Sequence, residues 1–218
     1  MDIRWDILAE YAPFFLKGTL LTIGLSIASI LIGTILGLFI GLGKMMRNKL
    51  LALPFSVYVT CFRGTPLLVQ ILLIHFAVVP LFLGETNAIV AAIVTLSLNA
   101  AAYIAEIFRA GIQSIDRGQM EAARSLGMNH VQAMRHVILP QAVKRMIPPL
   151  GNEFVVLIKE SSLASIVAAP ELMYWGKAMQ GQYFRVWEPY VTAAIIYLVL
   201  TLSLSFLLTR LERRLATE

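Results

Sequence analysis

The sequence predicts an all-α, polytopic membrane protein with five transmembrane helices and one helix in a cytoplasmic loop. Apolar residues make up 58% of the 218 residues and charged residues 14%, and mean hydropathy is +0.76. An average soluble domain is roughly 45–50% apolar and about 25% charged. Five windows reach the roughly 20 apolar residues that a spanning helix needs, and Lys and Arg cluster between alternate windows. Residues 1–218 are therefore predicted to form a single transmembrane domain.

This composition excludes a cytosolic enzyme, a disordered chain and a secreted disulfide scaffold. The single cysteine, Cys61, cannot form an intrachain disulfide. The net charge of +5 is expected to reflect cytoplasmic loops, so no nucleic-acid partner is predicted.

The predicted spans differ in how many charges they carry. The first and fifth contain none, the second contains Arg63, the third contains Glu106, and the fourth contains Glu153, Lys159 and Glu160. The second and fourth also contain Pro and Gly, which predicts bent helices or shielding by protein. The predicted spans are 19–42, 55–83, 88–108, 147–169 and 189–209.

The segments around the first span carry two further predictions. Residues 2–16 have aromatic and apolar residues on one helical face, which predicts a short separate helix lying on the membrane surface. Within the span, Gly33, Gly37 and Gly41 have the spacing of close helix packing, which is expected here in a dimer.

The distribution of basic residues predicts the orientation. Twelve of the eighteen Lys and Arg residues follow the first, third and fifth spans, and four lie on the opposite side. The positive-inside rule then places the N-terminus outside and the C-terminus in the cytoplasm.

The long cytoplasmic loop, 110–146, contains an amphipathic segment that predicts one helix over about 119–136. Apolar and small residues recur at spacings of three and four, and charged residues occupy the other face. Small side chains in this segment leave a surface that another protein can approach closely. The apolar stripe consists of Met120, Ala123, Gly127, Val131, Met134 and Ile138.

This loop resembles the signature of the permease subunits of ATP-binding-cassette (ABC) importers. The pattern is Glu-Ala-Ala, three residues, Gly, nine residues, Ile, any residue and Leu-Pro; here Val137 replaces the Ile. In that family the segment is the coupling helix, which docks on the ATPase. The resemblance therefore implies coupling roles for Glu121, Ala122, Ala123, Gly127, Leu139 and Pro140.

Segments 62–70, 99–109, 151–154, 159–162 and 211–215 resemble the polar amino-acid permeases of the histidine, glutamine and arginine type. The resemblance implies a bacterial inner-membrane location and an amino-acid substrate. It also implies three protein partners: ABC ATPase subunits, a second permease chain that is identical or different, and an extracytoplasmic substrate-binding protein. Membrane lipid is the remaining expected partner.

Catalytic motifs are missing from the sequence. Gly43-Lys44 and Gly176-Lys177 are not followed by Ser or Thr, as a phosphate-binding loop requires. One Cys and three scattered His predict no metal site. The chain is therefore predicted to be a transport subunit without a cofactor of its own, and ATP is expected to bind the partner ATPase.

Charged and polar residues at membrane depth are the candidate substrate-binding residues, because such groups are costly unless paired or facing water. At about 1.5 Å per residue, Arg63, Glu106 and Glu153 form an inner layer. A middle layer contains Asn99, Tyr103, Lys159, Glu160, Ser161 and Ser162, with Gln70 as a further candidate. The residues predicted to bind substrate are Arg63, Gln70, Asn99, Tyr103, Glu153, Glu160 and Ser161.

Two interpretations of these layers stay open. The charges either neutralise one another as structural ion pairs or bind a zwitterionic amino acid, whose carboxylate would suit the planar fork of Arg63. The acidic residues mildly favour a basic or neutral-polar amino acid.

Other interpretations of the whole chain also stay open. An ion-gradient-driven secondary transporter would use Glu106, Glu153 or Glu160 as its proton site; an intramembrane enzyme and a cation channel have weaker support. The aromatic residues of loop 170–188 indicate a membrane-interface belt, or alternatively an outer gate or a docking surface for the binding protein.

Overall fold

The computed structural model describes residues 3–216, with side chains to residue 213, and no strand occurs among them. The ten α-helices in this part of the chain are α1 (Trp5–Lys44), α2 (Lys49–Gly64), α3 (Leu67–Leu73), α4 (Val79–Leu83), α5 (Ala88–Gln113), α6 (Arg117–Ser125), α7 (His130–Ala133), α8 (Leu139–Glu160), α9 (Leu172–Tyr183) and α10 (Trp187–Ala216). Two π-helical turns, Ile74–Val78 and Met134–Ile138, join α3 to α4 and α7 to α8, and a 3₁₀ segment, Ser161–Val167, follows α8.

Helix α1 is continuous over 40 residues, so the prediction of a separate surface helix over 2–16 is wrong. One apolar side of this segment is buried within the protein, although Trp5 and Leu16 are exposed. Ile7, Tyr11 and Phe15 are buried together with Leu172 and Met179 of α9. Packing against α9 thus holds the first turns in line with the rest of α1.

The glycines of α1 pack against α5 within the same chain. A Cβ at Gly37 would lie 2.8 Å from the Cβ of Ile104, and one at Gly41 would lie 3.0 Å from the carbonyl oxygen of Ala105. The distance at Gly37 is shorter than real Cβ contacts and the one at Gly41 is tighter than most of them, so the close approach depends on glycine at Gly37 and is favoured by it at Gly41. The predicted close packing is present, but α5 is the partner helix rather than a second chain.

Helices α1, α5 and α10 are each long and apolar enough to cross a membrane. Helix α2 and the α3–α4 segment are together long and apolar enough for a span, but they are bent by 108°, as in a broken span or a re-entrant loop; Gly64 and Pro66 predict the bend. Thr65 is extended (φ −116°, ψ 145°), and α3 begins after Pro66. Helix α8 carries too many charges to qualify by composition, so the fourth span stays a prediction.

Each π-helical turn is followed by one residue and then by a proline. The amide of Val79, before Pro80, donates to the carbonyl of Ile74, and the amide of Leu139, before Pro140, donates to that of Met134. A proline has no amide hydrogen and its ring clashes with the carbonyl four residues back. The wider π turn accommodates both effects without ending the helix.

A buried carboxylate, Glu171, connects three helices. It caps α9 by accepting from the amides of Met173 (3.0 Å) and Tyr174 (2.8 Å). It also accepts from the hydroxyls of Tyr197 on α10 (2.6 Å) and Thr22 on α1 (3.4 Å). These bonds hold α9 against both long helices.

Candidate functional site

A cavity of about 620 Å³ lies between α5 and α8, next to the end of α2. Its α5 face runs from Tyr103 to Ser114 and its α8 face from Arg145 to Val156. Three of the predicted substrate-binding residues meet here. Its polar and charged lining residues are Arg63, Tyr103, Glu106, Ser114, Arg145, Asn152 and Glu153.

Arg63 and Tyr103 are stacked at one wall of this cavity. The guanidinium carbon of Arg63 lies 5.1 Å from the centre of the Tyr103 ring, within cation–π range. The bend after Gly64 ends α2 at this point and leaves the Arg63 side chain exposed. Stacking orients the planar guanidinium while its N–H donors remain able to bind a carboxylate.

Glu106 belongs to a different ion-pair cluster from the one that its depth predicts. Its carboxylate pairs with Lys44 of α1 and with Arg109 (2.7 Å), one turn further along α5. The inner-layer interpretation, in which the charges of Arg63, Glu106 and Glu153 neutralise one another, is therefore wrong for Glu106. Among the described residues no ion pair within 4 Å joins Arg63 to Glu153.

Gln70 and Asn99 are brought together, but away from the cavity lining. The amide nitrogen of Gln70 donates to the carbonyls of Phe62 (2.8 Å) and Thr65 (3.1 Å) and to the Thr65 hydroxyl (2.9 Å). Asn99 donates to the Gln70 side-chain oxygen (3.0 Å). Both side chains are buried, and their bonds stabilise the bend between α2 and α3.

Glu160 and Ser161 also lie outside the cavity lining. Ser161 is fully buried, and its hydroxyl donates to the carbonyl of Ile158 (2.8 Å). Glu160 is half-buried at the end of α8, seven residues and nearly two full turns beyond Glu153. It therefore shares a helical face with Glu153 at a different height.

Three polar lining residues were not predicted: Ser114, Arg145 and Asn152. Arg145 donates to the carbonyl and the hydroxyl of Ser114, which joins the N-terminal part of α8 to the C-terminal end of α5. For Arg145, the signal in the sequence is the spacing of 145, 149, 153 and 156, which follows one face of a helix. Membrane depth did not identify Arg145 as a candidate because the predicted span begins after it.

The predicted coupling helix over 119–136 is divided into two helices. Helix α6 ends at Ser125 because Gly127 adopts φ +84°. The Gly127 amide donates to the Arg124 carbonyl (3.0 Å) and the Met128 amide to the Ala123 carbonyl (3.2 Å), a Schellman motif. Asn129 and Gln132 then form a capping box that starts α7.

Because the segment forms two helices, not all of the predicted coupling residues are exposed. Ala123 is buried, whereas Glu121, Ala122 and Gly127 are exposed at the surface of α6 and its C-terminal turn. Leu139 and Pro140 are exposed beside the π turn that continues α7 into α8. The apolar stripe is interrupted too, because Val131 is exposed while Met134 and Ile138 pack against Ile115.

Comparison with known proteins places this architecture in a family. Residues 12–217 match the family described as "Binding-protein-dependent transport system inner membrane component". The probable amino-acid ABC transporter permease protein YckA of Bacillus subtilis (strain 168) is 40% identical over 202 residues, which cover 90% of this chain and 89% of that protein. The glutamine transport system permease protein GlnP of Escherichia coli (strain K12) is 36% identical over 217 residues, which cover 99% of both chains.

Solved structures agree with this placement. A chain of a crystal structure of an amino acid ABC transporter with histidines is 44% identical, with a TM-score of 0.92, and the match covers 98% of this chain and 100% of that one. The MetNI methionine ABC transporter in inward-facing conformations, at 22% identity, shares the fold with a TM-score of 0.82. The predicted resemblance to ABC importer permeases is thereby confirmed, and the chain belongs to the family of binding-protein-dependent transport system inner membrane components.

Proposed function

We propose that this chain is the permease subunit of an ATP-driven amino-acid importer in a bacterial cytoplasmic membrane. The observation that supports this proposal is the cavity between α5 and α8, which is lined by both Arg63 and Glu153 without an ion pair between them. An α-amino acid needs a cationic group for its carboxylate and an anionic group for its ammonium, and this cavity contains both. ATP binds a separate ATPase subunit in this proposal, and this chain carries out no covalent chemistry.

Arg63 receives the α-carboxylate of the substrate, since its forked donors match two carboxylate oxygens. Glu153 faces the ammonium group or a basic side chain. Tyr103 and Asn152 supply hydrogen bonds from neighbouring walls. Glu160, at a different height on the same face of α8, is a second acidic position on the path. A basic or glutamine-like polar amino acid fits this set of groups.

Coupling to the ATPase uses the exposed surface of α6 around Glu121, Ala122 and Gly127. From His130 the chain is helical through the π turn to Glu160, roughly 45 Å at about 1.5 Å per residue. A displacement of the cytoplasmic end by the ATPase is therefore passed directly to the helix that carries Glu153. Leu139 and Pro140 act in this proposal by keeping α7 and α8 in one line.

The proposed assembly contains two permease chains, identical or different, two ATPase subunits and an extracytoplasmic binding protein. The N-terminus lies outside and the C-terminus in the cytoplasm, as the distribution of Lys and Arg supports. Uptake proceeds by alternating exposure of the cavity to the two sides, driven by ATP binding and hydrolysis on the partner.

The test is amino-acid uptake by the complete transporter in proteoliposomes. ATP is either enclosed in the vesicles or added outside them, and the binding protein is supplied. We expect uptake to require ATP, and Glu153→Gln and Arg63→Ala each to reduce it at least tenfold. Glu85→Gln, in an exposed loop, is the matched control and should retain uptake. Uptake driven by a proton gradient without any ATPase subunit would favour a secondary transporter instead.

A further inference from the structure

A groove runs along the surface between the first turns of α1 and of α10, away from the α5–α8 cavity. It consists of two adjoining cavities of about 480 Å³ and 660 Å³, which share Trp5, Leu8 and Thr192. Apart from the charged pair at one end and Thr19 and Thr192, its walls are apolar.

The α10 wall of the groove is about as long as one leaflet of a bilayer, whereas the α1 wall, from Trp5 to Thr19, is longer, about 21 Å. Along α10 it extends from Trp187 to Ile196, about 14 Å at ~1.5 Å per residue. Half of a hydrocarbon core of ~30 Å is about 15 Å. Both helices are membrane-span candidates, and only 6% of the apolar window of α10 is buried inside the chain. Lipid chains therefore have access to the groove along its whole length.

The groove has one polar end. Arg185 and Glu188 line it and form an ion pair (2.5 Å). Arg4 and Asp6 form a second pair beside it, and the backbone amide of Arg4 donates to Glu188 (3.3 Å). The cation and the anion that line this end, Arg185 and Glu188, complement a headgroup that carries one phosphate and one ammonium.

Trp5 and Trp187 mark the level of this end in the membrane. They line the same cavity and are 71% and 61% exposed, respectively. Tryptophan at the ends of spanning helices favours the headgroup level because its ring is apolar and its N–H is polar. The two indoles therefore set the charged pairs among headgroups and the rest of the groove among acyl chains, so the membrane-embedded part of α1 begins before residue 19, where the sequence predicts its start.

From these observations we propose that the groove between α1 and α10 binds a phospholipid with an ammonium headgroup, of the phosphatidylethanolamine class. The phosphate lies near the guanidinium group of Arg185, the ammonium lies near Glu188, and one acyl chain lies along Leu8 and Thr192. A molecule with one polar end and an apolar tail matches a groove whose charges are confined to one end.

The first test is photolabelling of the intact transporter in nanodiscs, using phosphatidylethanolamine with a diazirine in its acyl chain. Labels are expected on peptides that contain Leu8–Thr19 and Thr192–Ile196, in excess over the exposed face around Leu198–Leu207. Equal labelling of the two regions would overturn the proposal. Groove peptides cross-linked to a second copy of this chain or to the binding protein, without lipid label, would overturn it too.

A second test measures lipid retained after purification in detergent. Thr192→Trp places a large side chain where the two cavities meet, and Val199→Trp, on the exposed face of α10 outside the groove, is the matched control. We expect Thr192→Trp to lower retained phosphatidylethanolamine about tenfold, with Val199→Trp unchanged. Equal retention, or equal preference for phosphatidylglycerol, would contradict the assigned headgroup. Neither readout depends on transport, so the proposed function is tested separately.

Discussion

Polar residues at membrane depth divide into two groups in this chain: those that line the cavity and those that hydrogen-bond within the protein. Arg63, Tyr103 and Glu153 line the cavity, whereas Gln70 and Asn99 hydrogen-bond within the protein. All five were equal candidates from depth and residue type. Their neighbours decide the difference, because a side chain that satisfies buried carbonyls is held away from a ligand.

Substitutions of Gln70 and Asn152 should separate a structural role from a role in substrate binding. Gln70→Leu removes the acceptor of the Asn99 amide and a donor to the carbonyls of Phe62 and Thr65, and leaves Asn99 and Phe62 with only the longer bond between them (3.4 Å). A lost hydrogen bond costs about 0.5–1.5 kcal/mol. We expect a lower midpoint of thermal unfolding in detergent and little change in substrate KM among folded molecules. Asn152→Ala should do the reverse, raising KM and leaving the midpoint unchanged. A higher KM for Gln70→Leu at unchanged stability would place Gln70 in substrate binding.

At the scale of elements, the turn at Gly127 separates α6 from α7. A residue with a Cβ pays roughly 1–2 kcal/mol in the left-handed region, although a Cβ at Gly127 would meet nothing within 4 Å. The requirement for glycine is therefore conformational rather than a matter of space. The small residues of this segment predict close approach by a partner at Gly127, whereas a glycine following a helix is itself a C-terminal signal.

We expect Gly127→Val to abolish the coupling of ATP hydrolysis to uptake, because it displaces α6 relative to α7. Gly127→Asn should retain part of it, since asparagine tolerates this conformation. The measurement is the ratio of ATP hydrolysed to amino acid transported in proteoliposomes. Gly24→Ala is the matched control, because a Cβ there also meets nothing within 4 Å but the residue is within a helix. Equal ratios for wild type and Gly127→Val would refute the role of this turn.

Helix α9 depends on a single buried carboxylate. Glu171→Ala removes two capping bonds and leaves the hydroxyls of Tyr197 and Thr22 without their acceptor. Hydrogen bonds to charged groups contribute about 1.5–3 kcal/mol each, so we expect a loss of at least ~3 kcal/mol, seen as a lower midpoint of thermal unfolding. Glu85→Ala, which removes an exposed carboxylate, should leave the midpoint unchanged. Equal midpoints for both variants would show that α9 is held by its apolar contacts alone.

At the scale of the whole molecule, the orientation can be checked with two positions of similar exposure. Phe184 and Leu126 are 86% and 81% exposed, in the loop before α10 and at the end of α6, respectively. With Cys61→Ser as background, Phe184→Cys should react with a membrane-impermeant maleimide in intact cells. Leu126→Cys should react only in inside-out vesicles. The reversed pattern would invert the predicted topology.

Composition and hydropathy were sufficient for the fold class, because a long apolar helix has few alternatives in a membrane. They were not sufficient for the start of α1, where an apolar face suits either lipid or a neighbouring helix such as α9. Nor could they place Glu106, because Lys44 is distant in sequence and reaches it only when α1 packs on α5. Contacts between distant segments are what the pattern of a single sequence leaves undetermined.

The continuous helix from His130 to Glu160 restricts changes in chain length. Deleting one residue between Pro140 and Glu153 would rotate Glu153 by about 100° relative to α7, at 3.6 residues per turn, and move it from the cavity toward another face. Deleting four would restore its face to within about 40° but draw it roughly 6 Å toward α7. Segment 127–153 should therefore have a fixed length among functional relatives, whereas the exposed loop at Gly84–Asn87 is free to vary.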